Sequence, residues 1–160
     1  RAKQEFATLH KQASPNAIIE ALAGQIKRLD KQNKETIAFY RNALKNFPHS
    51  HALVYDYAEV LLQERLYEEA LKLLDEQITQ NGNDPRLYEL QARAYAALGR
   101  HQEEHHALAY NYILHGNLFG AIEQLELAKD AGNDYYQLST IESELRQFRE
   151  IAAAYSKKKK

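Results

Sequence analysis

The 160-residue sequence contains no cysteine, methionine or tryptophan, and only three prolines and six glycines. The missing cysteines exclude disulfide bonds and thiolate metal sites from this chain. No apolar run approaches the roughly 18 residues of a membrane-spanning helix, and no secretory signal pattern is present. Because the sequence starts Arg1-Ala2-Lys3 and lacks methionine, we expect it to be a piece of a longer product.

Charge is distributed unevenly along this chain, although its net charge is only −1. Residues 1–50 carry nine Lys and Arg against four Asp and Glu, whereas residues 51–84 carry two against eight. A nucleic-acid-binding surface would need a concentrated basic face, so we do not expect nucleic acid as a partner. The bipolar pattern fits protein partners, and solvated helix faces without any partner are the alternative.

Apolar residues recur at helical spacing in pairs of segments, and each pair is separated by a short polar turn. The most regular unit spans residues 51–84, with one stripe from Val54 to Leu62 and a second from Ala70 to Ile78. Since neither helix can bury its apolar face alone, such a hairpin requires further copies of itself on both sides.

Copies of this unit are predicted along most of the chain. We predict repeats over residues 17–50, 51–84 and 85–118, the last overlapping a unit over 102–135, and a capping helix over 135–153. Helical spacing in the first unit predicts an inward stripe made of Ile18, Leu22, Ile26 and Leu29.

The overlap between the later units follows from two glycines that each come four residues after a tyrosine. Gly99 follows Tyr95 and Gly116 follows Tyr112, and the two glycines lie 17 residues apart. This distance is half of a 34-residue repeat. We therefore predict that the helix between these glycines closes one hairpin and opens the next.

These units resemble tetratricopeptide repeats, which pair two antiparallel helices over 34 residues. The small-residue position falls on Gly24, Ala58, Ala92 and Ala109. The second small position falls on Thr36, Ala70 and Ala121, and the aromatic position after it falls on Tyr40, Leu74 and Leu125. Lys27, Thr36 and Glu104 depart from the pattern.

The resemblance covers about residues 17–131 and implies an all-α fold. This fold is a solenoid, a right-handed superhelix of antiparallel helix pairs, with about eight or nine helices. We expect a single domain over residues 1–156, followed by a basic tail over 157–160. The tail is expected to be solubilising, and attraction to anionic lipid or an acidic partner is the alternative.

A narrower resemblance covers residues 105–150, which are similar to the carboxy-terminal repeat region of bacterial periplasmic zinc metallopeptidases of the β-barrel assembly-enhancing protease type. It is carried by Leu108-Ala109, Tyr112, Gly116-Asn117, Ala121, Gln124-Leu125, Ala128, Tyr136, Ile141 and Leu145-Arg146. The resemblance implies a periplasmic location and a zinc-binding peptidase domain outside this chain. The chain itself would be a non-catalytic module that docks the enzyme on substrates or on the outer-membrane protein assembly machinery. The alternative is a free-standing scaffold or adaptor without a peptidase domain.

One histidine pair invites comparison with metal sites. His101 and His105 lie at i and i+4, a spacing that can hold zinc on one helix face. However, Gln102 stands where a zinc-peptidase helix would carry its catalytic glutamate, and no third ligand lies at a motif spacing. We therefore expect no catalytic residue, metal ligand or cofactor in this chain. His101 and His105 are expected to be ordinary solvated or packed histidines. Adventitious metal binding and a metal-dependent enzyme are the alternatives.

The repeat resemblance also implies a concave groove, lined by the first helix of each pair, that receives an extended or helical peptide. The positions that face this groove are Tyr55, Asp56, Glu59, Arg86, Glu89, Arg93, His106, Tyr110 and Ile113. Tyrosines with mixed charges combine apolar contact with directional hydrogen bonds, although such tyrosines can equally be core residues. The Lys/Asn clamp for a partner's terminal carboxylate is missing, since its positions carry Ala21, Gln25, Tyr55 and Glu59. A receptor for chaperone tails is therefore not expected.

Overall fold

The computed structural model describes residues 4–6, 8, 10, 16–29 and 33–158. Within them every regular element is an α-helix, which confirms the predicted all-α class. From residue 16 onward the helices are α1 (Ala17–Leu29), α2 (Asn33–Asn46), α3 (His51–Gln63), α4 (Tyr67–Gln80), α5 (Pro85–Ala97), α6 (His101–Leu114), α7 (Leu118–Ala131) and α8 (Tyr135–Lys158). None of the described helices has the length and apolarity needed to cross a bilayer.

Three of the hairpin turns share one backbone geometry. Arg65, Gly99 and Gly116 each have positive φ, at 59°, 71° and 76°. In each turn the next amide N–H donates to a carbonyl five residues earlier, for example from Arg100 N to Tyr95 O at 3.0 Å. This left-handed residue followed by a long-range backbone bond is the Schellman ending of a helix. Gly99 and Gly116 thus follow two equivalent helix ends, and the predicted overlap of two repeats between them stays a prediction.

The chain forms two compact units, residues 1–73 and residues 74–160. In the first unit, helices α1, α2 and α3 pack against one another. Its fully buried side chains include Thr36, Tyr40, Leu53, Val54 and Leu61. The small side chain of Thr36 is buried like the alanines at the equivalent positions, so this departure from the repeat pattern is accommodated.

Close packing in the first unit depends on the absence of a side chain at Gly24. A Cβ atom placed there would collide with the ring of Tyr40, which is fully buried. Small neighbours, Ala21 and Ala23, are buried on the same helix. The small residues of α1 therefore face inward and allow the bulky ring of α2 to pack directly on its backbone.

The inward stripe predicted for α1 is wrong for most of its members. Ile18, Leu22 and Leu29 are 77%, 45% and 73% exposed, while the small residues between them are buried. Periodicity located a helix correctly but assigned the larger apolar side chains to the interior. Close approach by the Tyr40 ring favours a face made of small residues instead.

In the second unit, α5 packs on α6, α6 on α7, and α7 on α8. Its core cluster contains Ala109, Leu125, Ala128, Ile141 and Leu145. The side chain of Asp84 accepts a hydrogen bond from Arg86 N at 3.0 Å and caps α5, which begins at Pro85.

The last helix runs from Tyr135 to Lys158, which is longer than the predicted capping helix over 135–153. Lys157 and Lys158 of the predicted basic tail lie in this helix, whereas residues 159–160 lie outside the described residues.

Candidate functional site

The groove positions predicted in the first unit lie on α3 and are partly exposed. Asp56 Oδ2 accepts a hydrogen bond from Gln25 Nε2 at 2.9 Å, so this carboxylate is positioned by α1. The hydroxyl of Tyr55 lies 3.4 Å from His51 Nδ1, and the two rings meet edge to face at a centroid distance of 5.9 Å. Glu59 is half-buried on the same helix.

The groove positions predicted on α5 lie together on one of its faces. Arg86 Nη1 and Glu89 Oε1 form an i, i+3 ion pair at 2.6 Å, and Arg93 is exposed one turn further along. Both side chains of the pair are about 40% exposed, so the pair contributes little to stability. This face of α5 therefore presents charged groups that solvent reaches.

A cleft of about 450 Å³ lies on the opposite face of α5, wholly within the second unit. Its walls come from α4, α5, α6 and α8, and we call it the tyrosine cleft because three tyrosines line it. The lining residues are Ile78, Tyr88, Gln91, Tyr95, Arg100, Glu103, His106, Ala107, Tyr110 and Gln137. At about 100° of rotation per residue, positions 88, 91 and 95 lie roughly half a turn away from positions 86, 89 and 93.

The structure therefore separates the groove residues predicted in the second unit. His106 and Tyr110 line the tyrosine cleft, whereas Arg86, Glu89 and Arg93 lie on the other face of α5. Ile113 is half-buried on α6 and does not line the cleft.

Two rings stack at the centre of the cleft. Tyr88 and Tyr110 lie nearly parallel, with centroids 5.1 Å apart and planes 13° apart. The ring of His106 meets Tyr110 edge to face at 5.4 Å. Burial raises the pKa of Tyr88, and burial together with the neighbouring Glu144 carboxylate raises that of Tyr110. Both phenols therefore stay protonated at neutral pH and can donate hydrogen bonds.

Glu144 on α8 connects the cleft to the last helix. Its Oε1 accepts a hydrogen bond from the Tyr110 hydroxyl at 2.6 Å, and its Oε2 lies 2.7 Å from His106 Nε2. Burial alone would raise the pKa of this carboxyl, but the hydrogen bonds from His106 and Tyr110 outweigh it and hold the pKa below its ordinary value. Glu144 is therefore ionised at neutral pH beside the cleft.

Arg100, a positively charged side chain of the chain itself, also lines the cleft. The guanidinium of Arg100 lies over the ring of Tyr95, 4.7 Å from its centroid. Its Nε and Nη2 donate to Glu103 Oε1 at 3.0 and 2.8 Å. Nearby, Gln91 Nε2 donates to Asp75 Oδ1 at 2.6 Å, and burial raises the pKa of this aspartate despite that hydrogen bond.

The two histidines that could suggest a metal site bind different partners. His101 Nδ1 lies 2.9 Å from Glu104 Oε2, whereas His105 Nδ1 lies 2.9 Å from Gln124 Oε1 on α7. Throughout residues 16–29 and 33–158, no three histidine or carboxylate side chains converge as a metal site would require. The two histidines therefore make separate contacts in this structure, one exposed and one partly buried.

The sequence did not mark Tyr88, Tyr95 or Glu144 as site residues. Tyr88 is buried, Tyr95 is half-buried, and both line the cleft, so their helical spacing fits a core residue as well as a site residue. Glu144 lies 34 residues from Tyr110, and no local pattern connects them. The sequence offered one general signal, its 11 tyrosines, which does not say which of them line a site.

Comparison with known proteins bears on the repeats. Residues 28–94 match the family model described as tetratricopeptide repeat. A solved structure titled "MamA RS-1 ArsTM double mutant" superposes with a TM-score of 0.63 at 15% sequence identity, covering 96% of this chain and 86% of that chain. No curated protein matches the sequence.

Proposed function

We propose that this chain, a tetratricopeptide-repeat protein by its repeats and its fold, is a non-catalytic module that binds protein partners for a periplasmic zinc metallopeptidase. Tetratricopeptide repeats indicate a protein–protein interaction scaffold. The peptidase context is supported by the resemblance of residues 105–150 to the carboxy-terminal repeats of such enzymes. In this proposal zinc belongs to a peptidase domain outside the chain.

The observation that carries protein binding is the tyrosine cleft. Three tyrosines line one open cleft, and charged or amide side chains surround them. Aromatic residues and arginine are enriched where proteins bind one another, because their large rigid surfaces combine apolar contact with hydrogen bonds. A cleft of this size also lies within the range, about 300–1,000 Å³, that ligand sites occupy.

The module would act by raising the local concentration of its partner near the active site. That partner is either the substrate itself or the outer-membrane protein assembly machinery on which substrates are found. Within the second unit, the exposed face of α5 with Arg86, Glu89 and Arg93 is a further peptide contact in this proposal, together with the cleft residues His106 and Tyr110 and with Ile113. Within the first unit, the proposed peptide contacts are the α3 positions Tyr55, Asp56 and Glu59.

Deletion of residues 17–151 from the parent protein tests this proposal. The shortened protein should still cleave a soluble unfolded substrate in solution, because no catalytic group is removed. It should lose association with its partner in cells, measured by crosslinking and recovery of the tagged enzyme. Unchanged association and unchanged proteolysis in cells would refute the proposal.

A point variant tests whether the exposed face of α5 contacts the partner, and it leaves the fold in place. Arg93→Glu reverses an exposed charge on the proposed contact face of α5, and Lys72→Glu makes the same change at an exposed position of α4 outside it. We expect weaker partner association for Arg93→Glu alone. Equal behaviour of the two variants would remove this face from the proposed contact.

A free-standing scaffold is the second candidate. The family match over residues 28–94 describes repeats only and is not specific to any peptidase. The coding sequence upstream of this segment separates the two candidates. An H-E-x-x-H motif there supports the peptidase module, and its absence supports the scaffold.

A further inference from the structure

We infer that the tyrosine cleft binds a basic side chain, arginine or lysine, contributed by a protein partner. The inference rests on the proposed function as a protein-binding module and adds the chemical class of the ligand. It concerns the face of α5 that carries Tyr88 and Tyr95, opposite to the predicted peptide-contacting face with Arg86 and Glu89.

The aromatic rings of the cleft favour a cationic ligand. The stacked pair of Tyr88 and Tyr110, with centroids 5.1 Å apart, presents π surface in the cleft, and Arg100 already lies over the nearby ring of Tyr95. The negative face of an aromatic ring attracts ammonium and guanidinium groups, and the attraction strengthens as water is excluded. A cleft with three tyrosines therefore favours a cation over a neutral polar group of the same shape.

The charged side chains around the cleft also favour a cationic ligand. Three carboxylates surround the cleft: Asp75 through Gln91, Glu103 at the wall, and Glu144 behind Tyr110. Among the described residues that line the cleft, Arg100 is the one permanent cation. Even with His106 protonated, negative groups outnumber positive ones, so an incoming cation is attracted and an incoming carboxylate is repelled.

The cleft already shows the arrangement that such a ligand would adopt. Arg100 stacks on Tyr95 and donates two hydrogen bonds to Glu103, which holds a guanidinium between a ring and a carboxylate. The Tyr88–Tyr110 pair in the cleft and the Glu144 carboxylate behind Tyr110 bring the same two kinds of group close together a second time. A partner's guanidinium or ammonium would use this second set in the same way. Carboxylate oxygens accept roughly two hydrogen bonds each, so the bonds already made do not saturate Glu144.

The experiment compares two small probes that differ in charge and share their shape. The chain is labelled with nitrogen-15 and titrated with N-acetyl-arginine amide or with N-acetyl-citrulline amide, while amide chemical shifts are recorded. We expect the arginine probe to shift the amides of Tyr88, Glu103 and Tyr110 in a saturable way, and the citrulline probe to bind roughly fivefold more weakly. Equal affinities for the two probes, or no shifts at the cleft, would overturn the inference.

Two matched variants locate the effect. Glu103→Gln removes a carboxylate from the cleft wall, and Glu89→Gln removes one from the other face of α5. Each glutamate is paired with an arginine three residues earlier, at 2.8 and 2.6 Å. We expect Glu103→Gln to weaken the arginine probe by roughly threefold or more and Glu89→Gln to leave it unchanged. Equal effects of both variants would mean that the probe responds to net charge and not to the cleft.

These outcomes are distinguishable from failure of the proposed function. If the probes do not shift the cleft while deletion of residues 17–151 still abolishes partner association, protein binding stands and the cleft is not its basic-residue pocket. If the arginine probe binds at the cleft while the deletion leaves partner association unchanged, the cleft binds cations but does not serve the proposed partner.

Discussion

The hydroxyl of Tyr110 donates a hydrogen bond of 2.6 Å to Glu144, a residue 34 positions later in the sequence. The other carboxylate oxygen of Glu144 lies 2.7 Å from Nε2 of His106, one turn before Tyr110 on α6. One carboxylate of α8 therefore binds two side chains of α6. This contact lies behind two lining residues of the tyrosine cleft and connects the last helix to α6.

Replacing Glu144 with glutamine should destabilise the protein in a pH-dependent way. Its hydrogen bonds hold the carboxyl pKa below the ordinary value of 4.5, so the ionised form stabilises the fold above that pH and the contribution is lost as pH falls below it. At pH 7 we expect Glu144→Gln to reduce the free energy of unfolding by about 1–3 kcal/mol, measured by urea denaturation. At pH 3 the difference from the unmodified protein should shrink.

A nearby exposed glutamate is the control for this measurement. Glu142 forms an ion pair with Lys129 at 2.7 Å, and both side chains are about half exposed. Glu142→Gln should change the free energy of unfolding little at either pH, because solvent screens the exposed pair. Equal losses for Glu142→Gln and Glu144→Gln would contradict the special role assigned to Glu144.

Local signals in the sequence predicted the helix ends well. Gly99 and Gly116 were expected to end helices, and both adopt the left-handed conformation that glycine tolerates. The apolar stripe of α1 was wrong because the pattern cannot show that Tyr40 packs on the backbone at Gly24. The spacing of apolar residues predicts which residues share one face of a helix. It does not predict which side chain of another helix packs on that face.

The candidate site was only partly predictable for the same reason. His106 and Tyr110 were found because the repeat pattern places them on one helix face. The partner that orients them, Glu144, lies on another helix, and only the fold brings it near. Tyr88 and Tyr95 also line the cleft. Their positions in the helical pattern suit a core residue and a binding residue equally, so the pattern does not distinguish the two.

Arg65 should be replaceable by glycine with a gain in stability. It has φ of 59° at the same turn position that Gly99 and Gly116 occupy, and a left-handed conformation is costly for a residue with a Cβ atom. We expect Arg65→Gly to raise the free energy of unfolding by about 0.5–1 kcal/mol, after the larger entropy loss of glycine on folding is included.

The matched control is glycine at Gln63, the last residue of α3 in the same turn region. Gln63 lies in the right-handed helix and is exposed, so Gln63→Gly should destabilise by about 0.5–1 kcal/mol. Thermal and urea unfolding of both variants checks the pair. A loss of stability in both would show that the left-handed conformation of Arg65 carries no measurable strain.

Gly24 and Tyr40 should be energetically coupled. A methyl group at Gly24 would collide with the Tyr40 ring, so Gly24→Ala should cost about 1–3 kcal/mol by overpacking. The equivalent positions in the second unit carry Ala109 and Leu125, which share one buried core cluster. Gly24→Ala should therefore be tolerated better when Tyr40→Leu is also present.

A double-mutant cycle measures this coupling. We expect the two substitutions together to destabilise by less than the sum of their separate effects, with an interaction energy of about 1 kcal/mol or more. Strict additivity would mean that the backbone moves and relieves the collision. Circular dichroism of each variant confirms that the helices are retained during the unfolding measurement.

Ala70→Glu tests the frame on which the repeat assignment depends. Ala70 is fully buried on α4, at the position where the repeat pattern requires a small residue. Glutamate there would overpack the helix contact and bury an unpaired charge, so we expect a loss of about 3 kcal/mol or more in the free energy of unfolding. Ala52 is exposed on α3, and Ala52→Glu should unfold within a degree or two of the unmodified protein. If the melting temperature of Ala70→Glu were also within a degree or two of the unmodified protein, Ala70 could not occupy a tight helix crossing. The repeat frame through residues 51–84 would then have to shift.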